Sequence, residues 1–211
     1  MYTLGRKRIN KSMKIKYQII AIMGKAGSGK DTLLNALMKE EIFKDAYKII
    51  SCTTRPIREY EEDGVDYHFL TTTEFTNQIL SGEMLEATVF NTWCYGTSIN
   101  NLDEECINIG VFNPEGVELL RENPNIKLAV IYIEANDKTR LLRQLNREKN
   151  PDCHEIVRRF SADENDFSEK EIEYIEPDMF ITNNDGADIH RISKAVATAW
   201  AKGQITLKDT K

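Results

Sequence analysis

The feature that most constrains this chain is a glycine-rich turn between a strand pattern and a helix pattern. Residues 19–23 form a continuous apolar run, which is typical of a parallel strand buried on both faces. After the turn, Leu33 and Leu37 stand four residues apart and predict one apolar helix face. Strand, glycine-rich turn, lysine and helix in this order predict a phosphate-binding P-loop rather than a merely flexible turn.

This turn supplies the groups that bind a nucleoside triphosphate. Its glycines let backbone N–H groups converge on one anion, and the helix start adds unpaired N–H donors and a positive dipole end. Lys30 adds a mobile positive charge for the outer phosphates. The predicted donor-binding residues are Gly24, Lys25, Ala26, Gly27, Ser28, Gly29, Lys30, Asp31 and Thr32.

The position after the lysine departs from the usual P-loop pattern. It is normally Ser or Thr, whose hydroxyl binds Mg²⁺, but here it is Asp31, followed by Thr32. We predict that Asp31 contacts the metal directly or through water. Two alternatives are that Asp31 only caps the helix, or that Thr32 shifts to bind the metal.

Composition predicts one compact soluble domain with at most a small inserted part, because the 211 residues are 41% hydrophobic and 29% charged. The sequence has no apolar run near the ~20 residues of a membrane span and no apolar signal-peptide core, which predicts a cytoplasmic protein without membrane contact. Its four cysteines and three histidines have no metal-site spacing.

Charge is unevenly spread along the chain. Residues 1–16 hold six basic residues and no acidic one, although the whole chain has a net charge of −6. We predict a disordered extension there, rather than a nucleic-acid or targeting tail. The acidic remainder argues against nucleic-acid binding.

A second informative segment follows a strand pattern at residues 47–51. Its motifs are TTRP (53–56), DGVDYHF (63–69), GEMLE (82–86) and YGT (95–97). Together with the P-loop, these motifs closely resemble guanylate kinase, and the resemblance covers residues 17–201.

The resemblance implies an α/β fold of the P-loop NTPase class, with a five-stranded parallel sheet flanked by helices. It further implies an inserted GMP-binding β-subdomain (51–97) and a helical lid (137–176), which leaves a core of residues 17–50, 98–136 and 177–205. The implied reaction is ATP + GMP to ADP + GDP with Mg²⁺. The partners are then small-molecule nucleotides, and the protein is expected to be a monomer or homodimer.

Carried over by position, the acceptor phosphate is held by Arg55, Arg58, Tyr67 and Tyr95. Arginines grip a phosphate bidentately, and phenols add neutral donors. Glu86 is expected to read the base, because a carboxylate accepts from guanine N1–H and N2–H together, whereas adenine offers an acceptor at N1.

Ser51 and Thr97 are expected to add hydroxyl contacts to guanine, with Ser51 donating to O6. The resemblance weakens at the next strand end, where guanylate kinases carry D-x-D-x-x-G. Val111 and Asn113 replace the two aspartates, and this removes one carboxylate near the metal and one near the base. Asn113 retains the capacity to hydrogen-bond the base.

The lid segment is rich in arginine. By resemblance, Arg143, Arg147 and Arg159 close over ATP and neutralise charge on the moving phosphoryl group, acting in catalysis with Lys30 and Arg55. Residues 163–166, Asp-Glu-Asn-Asp, predict a solvated helix face. Asn183 matches an asparagine near the adenine ring.

Three alternatives to a GMP kinase remain open from the sequence. One is a ribose 1,5-bisphosphate phosphokinase or similar small-molecule kinase, although Tyr67 and Glu86 argue against a substrate without a base. A second is a kinase for dGMP or a modified guanine nucleotide. The third is a non-catalytic binding module that uses the GMP pocket for a phosphorylated partner, which Lys30 and the lid arginines disfavour.

Overall fold

The computed structural model describes residues 16–90, 92–147 and 149–210. The predicted basic extension therefore lies outside the described residues except for Lys16. The strands are β1 (Tyr17–Met23), β2 (Tyr47–Lys48), β3 (Cys52–Thr53), β4 (His68–Phe69), β5 (Met84–Phe90), β6 (Trp93–Ser98), β7 (Ile107–Val111), β8 (Ile126–Glu134), β9 (Met179–Thr182) and β10 (Lys208–Asp209). The helices are α1 (Lys30–Leu37), α2 (Thr72–Leu80), α3 (Pro114–Arg121), α4 (Asp137–Asn146), α5 (Cys153–Asp166), α6 (Glu169–Ile175) and α7 (Ile189–Ala201).

The central sheet contains five parallel strands in the order β2-β7-β1-β8-β9. This confirms the predicted P-loop NTPase class with a five-stranded parallel sheet. Strand β2 is shorter than its pattern predicted, since only Tyr47 and Lys48 pair with β7. The short strand β10 was not predicted; it pairs antiparallel with β8, beyond the expected end of the domain at residue 205.

Helices cover both faces of this sheet, which explains why β1 is apolar at consecutive positions. On one face, Ile19 packs in a buried cluster with Val117 of α3. On the other, Ile20 packs with Leu33 of α1 and Val196 of α7. Parallel strands covered on both faces place their carboxyl ends at a common edge, where ligands of such folds bind.

A second, smaller sheet has the order β4-β3-β6-β5 and carries α2. Thr71 and Glu74 begin α2 with a reciprocal capping box. Strand β5 contains a β-bulge, because Met84 pairs with Ser98 while Glu86 pairs with Thr97, the next residue back along β6. After the bulge, Glu86, Thr88 and Phe90 alternate on the face that lines the main pocket.

Helices α4, α5 and α6 fill the segment predicted as the lid, between β8 and β9. Within the three described ranges, no helix combines the length and apolar character that crossing a membrane requires.

Candidate active site

The P-loop connects β1 to α1 with two residues in left-handed conformations, Gly27 (φ 78°) and Gly29 (φ 100°). Glycine adopts this conformation readily. A Cβ on Gly29 would also collide with the side-chain amide of Asn183, and one on Gly27 would lie 2.6 Å from the Arg140 carbonyl oxygen. The two glycines therefore allow both the turn and its close packing.

Three successive P-loop carbonyl groups accept hydrogen bonds from side chains. Arg140 Nε donates to Ala26 (3.1 Å), Arg143 Nη1 to Gly27 and Ser28 (3.3 Å each), and Asn183 Nδ2 to Ser28 (2.8 Å). These contacts fix the peptides from outside the loop. Within the described part of the chain, the N–H groups of Gly27, Gly29 and Lys30 have no hydrogen-bond acceptor, so they are available to an anion.

Lys30 is the first residue of α1, and its ammonium group donates to the Lys25 carbonyl at 3.1 Å. Burial lowers the pKa of Lys30; Asp31 and Asp163 favour its charged form, and Arg159 disfavours it. Arg159, which lines the same pocket, has a buried Nε without a partner among the described residues. An anion with several oxygens, such as a nucleotide polyphosphate, fits these donors together with the free N–H groups of the loop.

The main pocket brings several predicted residues to one place. It is lined by Gly24, Ala26, Lys30, Ser51, Tyr67, Glu86, Thr88, Phe90, Tyr95, Gly96, Val111, Phe112, Asn113, Arg159, Asp163, Asp166 and Phe167. A neighbouring cleft contains Arg55, Arg58 and Arg147, and Arg159 borders both. The P-loop lysine, the predicted base reader and two predicted phosphate-binding tyrosines thus share one cavity.

Arg55 is buried and forms a bidentate ion pair with Glu61, with distances of 2.9 Å from Nη1 and 2.8 Å from Nη2. Its Nη1 also donates to the Pro56 carbonyl at 2.7 Å. Burial alone would lower the pKa of Arg55, but Glu61 more than offsets this and raises it. Of the five N–H donors of a guanidinium group, these bonds leave Nε–H and one Nη2–H for another anion.

Glu61 was missed by the sequence reasoning. Its carboxylate also accepts from the backbone N–H of Arg58 at 2.9 Å, so it organises both predicted phosphate-binding arginines. Burial acts to raise the pKa of Glu61, but the paired arginine outweighs it and lowers the pKa. The sequence signal that could have identified Glu61 is a general one: a buried arginine requires a nearby opposite charge.

Glu86 and Thr97 face each other across β5 and β6 and are both buried. Burial raises the pKa of Glu86 to about 7; the nearby Thr97 partly opposes this rise, and Glu115 adds to it. The Thr97 hydroxyl is close enough to favour the ionised form of Glu86, although it meets no strict hydrogen-bond geometry within the described residues. Glu86 lines the main pocket, and its buried carboxylate suits a ligand that carries N–H donors.

Asn113 begins α3, and its side chain is already engaged. Its Oδ1 accepts from the Gly116 N–H at 2.7 Å, and its Nδ2 donates to Thr88 Oγ1 at 3.0 Å. One amide hydrogen and one lone pair of the amide oxygen remain for a ligand, so the contact of Asn113 with the base stays a prediction. Thr88, which holds this amide, was not predicted.

The raised pKa of Glu86 predicts a pH-dependent stability cost. The folded state holds the Glu86 proton more tightly than the unfolded state does. The resulting contribution to folding stability is complete below pH 4.5, the ordinary pKa, and is lost as the pH rises through about 7. We expect Glu86→Gln to gain stability relative to the parent by up to about 3 kcal/mol between pH 4.5 and 8. Urea unfolding at both pH values measures the difference, and a constant difference would contradict the prediction.

The lid arginines occupy different places. Arg159 of α5 borders the pocket opposite Lys30, while Arg143 of α4 contacts the outer side of the P-loop. Arg147 follows α4 and lies over the ring of Tyr60 at 5.5 Å. Of the three, only Arg159 lines the main pocket together with Lys30, and catalytic roles for Arg143, Arg147 and Arg159 stay predictions.

Asn183 lies beneath the P-loop at the end of β9. Its side chain is buried and donates to Ser28, and its backbone N–H donates to Glu134. In the structure it supports the loop, so a direct contact with adenine stays a prediction.

The expectation of a solvated acidic helix face at residues 163–166 is wrong for its first residue. Asp163 is 5% exposed, accepts from the Ala26 N–H at 2.7 Å and pairs with Arg140 at 2.7 Å. Neither Arg140 nor Asp163 was predicted to contact the P-loop. Acidic residues are usually exposed, and the sequence gives no sign that one is paired in the interior.

Asp31 is exposed in the first turn of α1. The cap position belongs to Gly29, and no side chain caps this helix, so the alternative that Asp31 is the cap is wrong. Among the described residues, no three His, Cys, Asp or Glu side chains cluster as a metal site. Since Mg²⁺ often takes only one or two protein ligands, Asp31 alone is compatible with a metal held mainly by phosphates.

A family model described as guanylate kinase matches residues 16–199. A guanylate kinase from Campylobacter jejuni subsp. jejuni is 29% identical over 191 residues, which are 89% of this chain and 90% of the relative. One from Malacoplasma penetrans is 33% identical over 162 residues, or 74% of each chain. The crystal structure of guanylate kinase from Anaplasma phagocytophilum has a TM-score of 0.60 at 23% identity, covering 90% of this chain and 88% of its own, so this likeness shows the fold.

Proposed function

The chain belongs to the guanylate kinase family, and we propose that it transfers the γ-phosphoryl group of ATP directly to GMP or dGMP, with Mg²⁺ as the metal. The observation that carries this proposal is the shared pocket. Buried Glu86, suited to guanine, lines the same cavity as the P-loop lysine, Lys30. The enzyme class is therefore a nucleoside monophosphate kinase.

In this proposal the P-loop holds the phosphoryl donor. Lys30 and the free N–H groups of Gly27 and Gly29 bind the outer phosphates. The outer contacts to the loop carbonyls keep these groups oriented before ATP arrives. Asp31 would hold Mg²⁺ at the helix start, and the ion would supply positive charge that offsets the charge of the triphosphate.

The acceptor lies between the smaller sheet and the lid. Arg55 offers its remaining N–H donors to the GMP phosphate, with Tyr67 and Tyr95 at 6.1 Å ring separation beside it. No general base is required, because a phosphate monoester has a second pKa near 6 and its oxygen is already an anion at neutral pH. Positioning and charge neutralisation by Arg159 and Lys30 then carry the catalysis.

A coupled assay of ADP release tests the proposal across GMP, dGMP, AMP, CMP, dTMP and ribose 1,5-bisphosphate. We expect turnover with the guanine nucleotides to exceed that with the other acceptors by at least about 100-fold, because only guanine satisfies Glu86. Comparable turnover with ribose 1,5-bisphosphate would contradict the proposal. We further propose a cytoplasmic protein that works as a monomer or homodimer on small-molecule nucleotides.

Asp31→Asn tests the proposed metal contact. The chain has Val111 at the strand end where the family carries a carboxylate, and we propose that Asp31 supplies the missing negative charge to Mg²⁺. Without the cation, a carboxylate beside the triphosphate is repulsive, so parent ATP binding should depend steeply on Mg²⁺. We expect Asp31→Asn to reduce the gain in ATP affinity that Mg²⁺ provides by about tenfold. Calorimetry with and without the metal measures this gain.

Thr32→Val is the matched comparison, because Thr32 is the other side chain proposed for the metal and lies in the same turn. A loss of Mg²⁺-dependent affinity in Thr32→Val, with none in Asp31→Asn, would transfer the role to the hydroxyl. Equal metal dependence in the parent and Asp31→Asn would remove Asp31 from the metal site.

A further inference from the structure

Arg140 is unusual among the arginines of this chain because its side chain is only 1% exposed. It pairs with Asp163 at 2.7 Å, with Asp137 at 3.0 Å and with Glu164 at 3.3 Å. Its guanidinium also stacks on the Phe160 ring at 4.5 Å. Of the three acidic partners only Asp163 is buried, at 8% side-chain exposure against 68% for Asp137 and 49% for Glu164.

The side chains of Arg140 and Asp163 contact the P-loop at one residue, Ala26. Asp163 Oδ2 accepts from the Ala26 N–H at 2.7 Å, and Arg140 Nε donates to the Ala26 carbonyl at 3.1 Å. The two side chains come from different helices, α4 for Arg140 and α5 for Asp163. The ion pair therefore hydrogen-bonds both the N–H and the carbonyl group of Ala26, and it also joins α4 to α5.

The pair lies on the same helix face as Arg159. Arg159 and Asp163 are four residues apart on α5, and both line the main pocket that contains Lys30. The contact of Asp163 with Ala26 therefore links the P-loop to the helix face that carries Arg159. A paired, buried charge of this kind is weak support for stability, since desolvation offsets much of its Coulomb energy. The role of the Arg140–Asp163 pair therefore lies in how it positions groups of the active site.

We propose that Arg140 and Asp163 are positioning residues for the phosphoryl donor, which hold the Ala26 peptide and thereby orient the P-loop against the helix that carries Arg159. This inference rests on the proposed binding of ATP at the P-loop. It concerns residues that touch the loop rather than the nucleotide. The exposed partners of Arg140 do not contact Ala26: Glu164 accepts from the Lys25 ammonium group at 2.7 Å with a side chain that is 49% exposed, and the Asp137 side chain is 68% exposed.

The decisive comparison is Asp163→Ala against Asp137→Ala. Both remove a carboxylate partner of the same guanidinium, but only the first releases the Ala26 N–H. In the full-length protein, calorimetry should show ATP affinity at least tenfold weaker in Asp163→Ala, with GMP affinity within about twofold of the parent. Asp137→Ala should stay within about twofold for both nucleotides.

Two further measurements keep the test decisive. Asp163→Asn retains an oxygen for the Ala26 N–H and should recover part of the ATP affinity; it also serves if the alanine variant does not fold. Hydrogen exchange of the Ala26 amide, measured without nucleotide, should be faster in Asp163→Ala than in the parent and Asp137→Ala.

Equal ATP affinity in Asp163→Ala and Asp137→Ala would overturn the inference. Tighter ATP binding in Asp163→Ala would also overturn it, because Asp163 would then compete with the nucleotide. If the parent bound no ATP, the proposed function would fail, while the exchange of the Ala26 amide would still decide whether the pair holds the loop.

Discussion

Glu86→Gln is expected to lower kcat/KM for GMP by about 100-fold or more, which is roughly 2.7 kcal/mol of transition-state binding. The substitution keeps the shape of the side chain but turns one acceptor oxygen into an N–H donor. That donor then meets a donor of guanine inside a buried pocket, where an unpaired polar group is costly. The assay belongs at pH 8, where Glu86, with a pKa of about 7, is mostly ionised.

Urea unfolding of Glu86→Gln at pH 8 checks separately for loss of folding, since the variant is expected to gain stability relative to the parent between pH 4.5 and 8. The KM for ATP is the internal control, since Glu86 lies in the acceptor part of the pocket and should leave it within about threefold. If the variant phosphorylates GMP as efficiently as the parent, Glu86 does not read the base.

Arg55→Met, combined with Glu61→Gln, is expected to raise the KM for GMP by about 100-fold. In the proposed complex the two remaining N–H donors of Arg55 bind the acceptor phosphate, and charge-assisted bonds of this kind are worth about 1.5–3 kcal/mol each. Glu61 is changed with it because an unpaired buried carboxylate would destabilise the protein by several kcal/mol and obscure the kinetics.

Steady-state kinetics with each substrate varied in turn separates the possible causes. The KM for ATP should remain within about threefold, because Arg55 does not contact the P-loop. The Glu61→Gln single variant is the control for loss of the ion pair alone and should raise the KM for GMP less than the double variant does. Equal losses for ATP and GMP would indicate a general disturbance of the site.

Local sequence patterns predicted the elements that depend on local physics. The apolar run before Gly24 and the four-residue spacing of Leu33 and Leu37 both appear as predicted, in β1 and α1. The family resemblance and the five parallel strands are likewise confirmed. In each case the signal lies within one element or in a motif whose spacing is fixed by the ligand it binds.

The contacts that sequence reasoning missed are made by buried polar side chains whose partners are known only from the fold. Asp163 and Ala26 are 137 positions apart, and the carboxylate resembles any exposed helix residue until its partners are known. The Asn113 oxygen caps α3, a contact that was likewise not predicted. Polar side chains are usually expected to be exposed, and burial makes that expectation wrong. Burial depends on tertiary packing, which a single sequence does not show.

The pairing of β5 with β6 makes the direction of Glu86 a matter of register. Side chains alternate along a strand, so sliding β5 by one residue past β6 would turn Glu86, Thr88 and Phe90 away from the pocket together. The bulge between Met84 and Glu86 is the point at which this register shifts. Point substitutions leave the register intact, so this side of the pocket is open to gradual change one residue at a time, whereas a slip would move all three side chains at once.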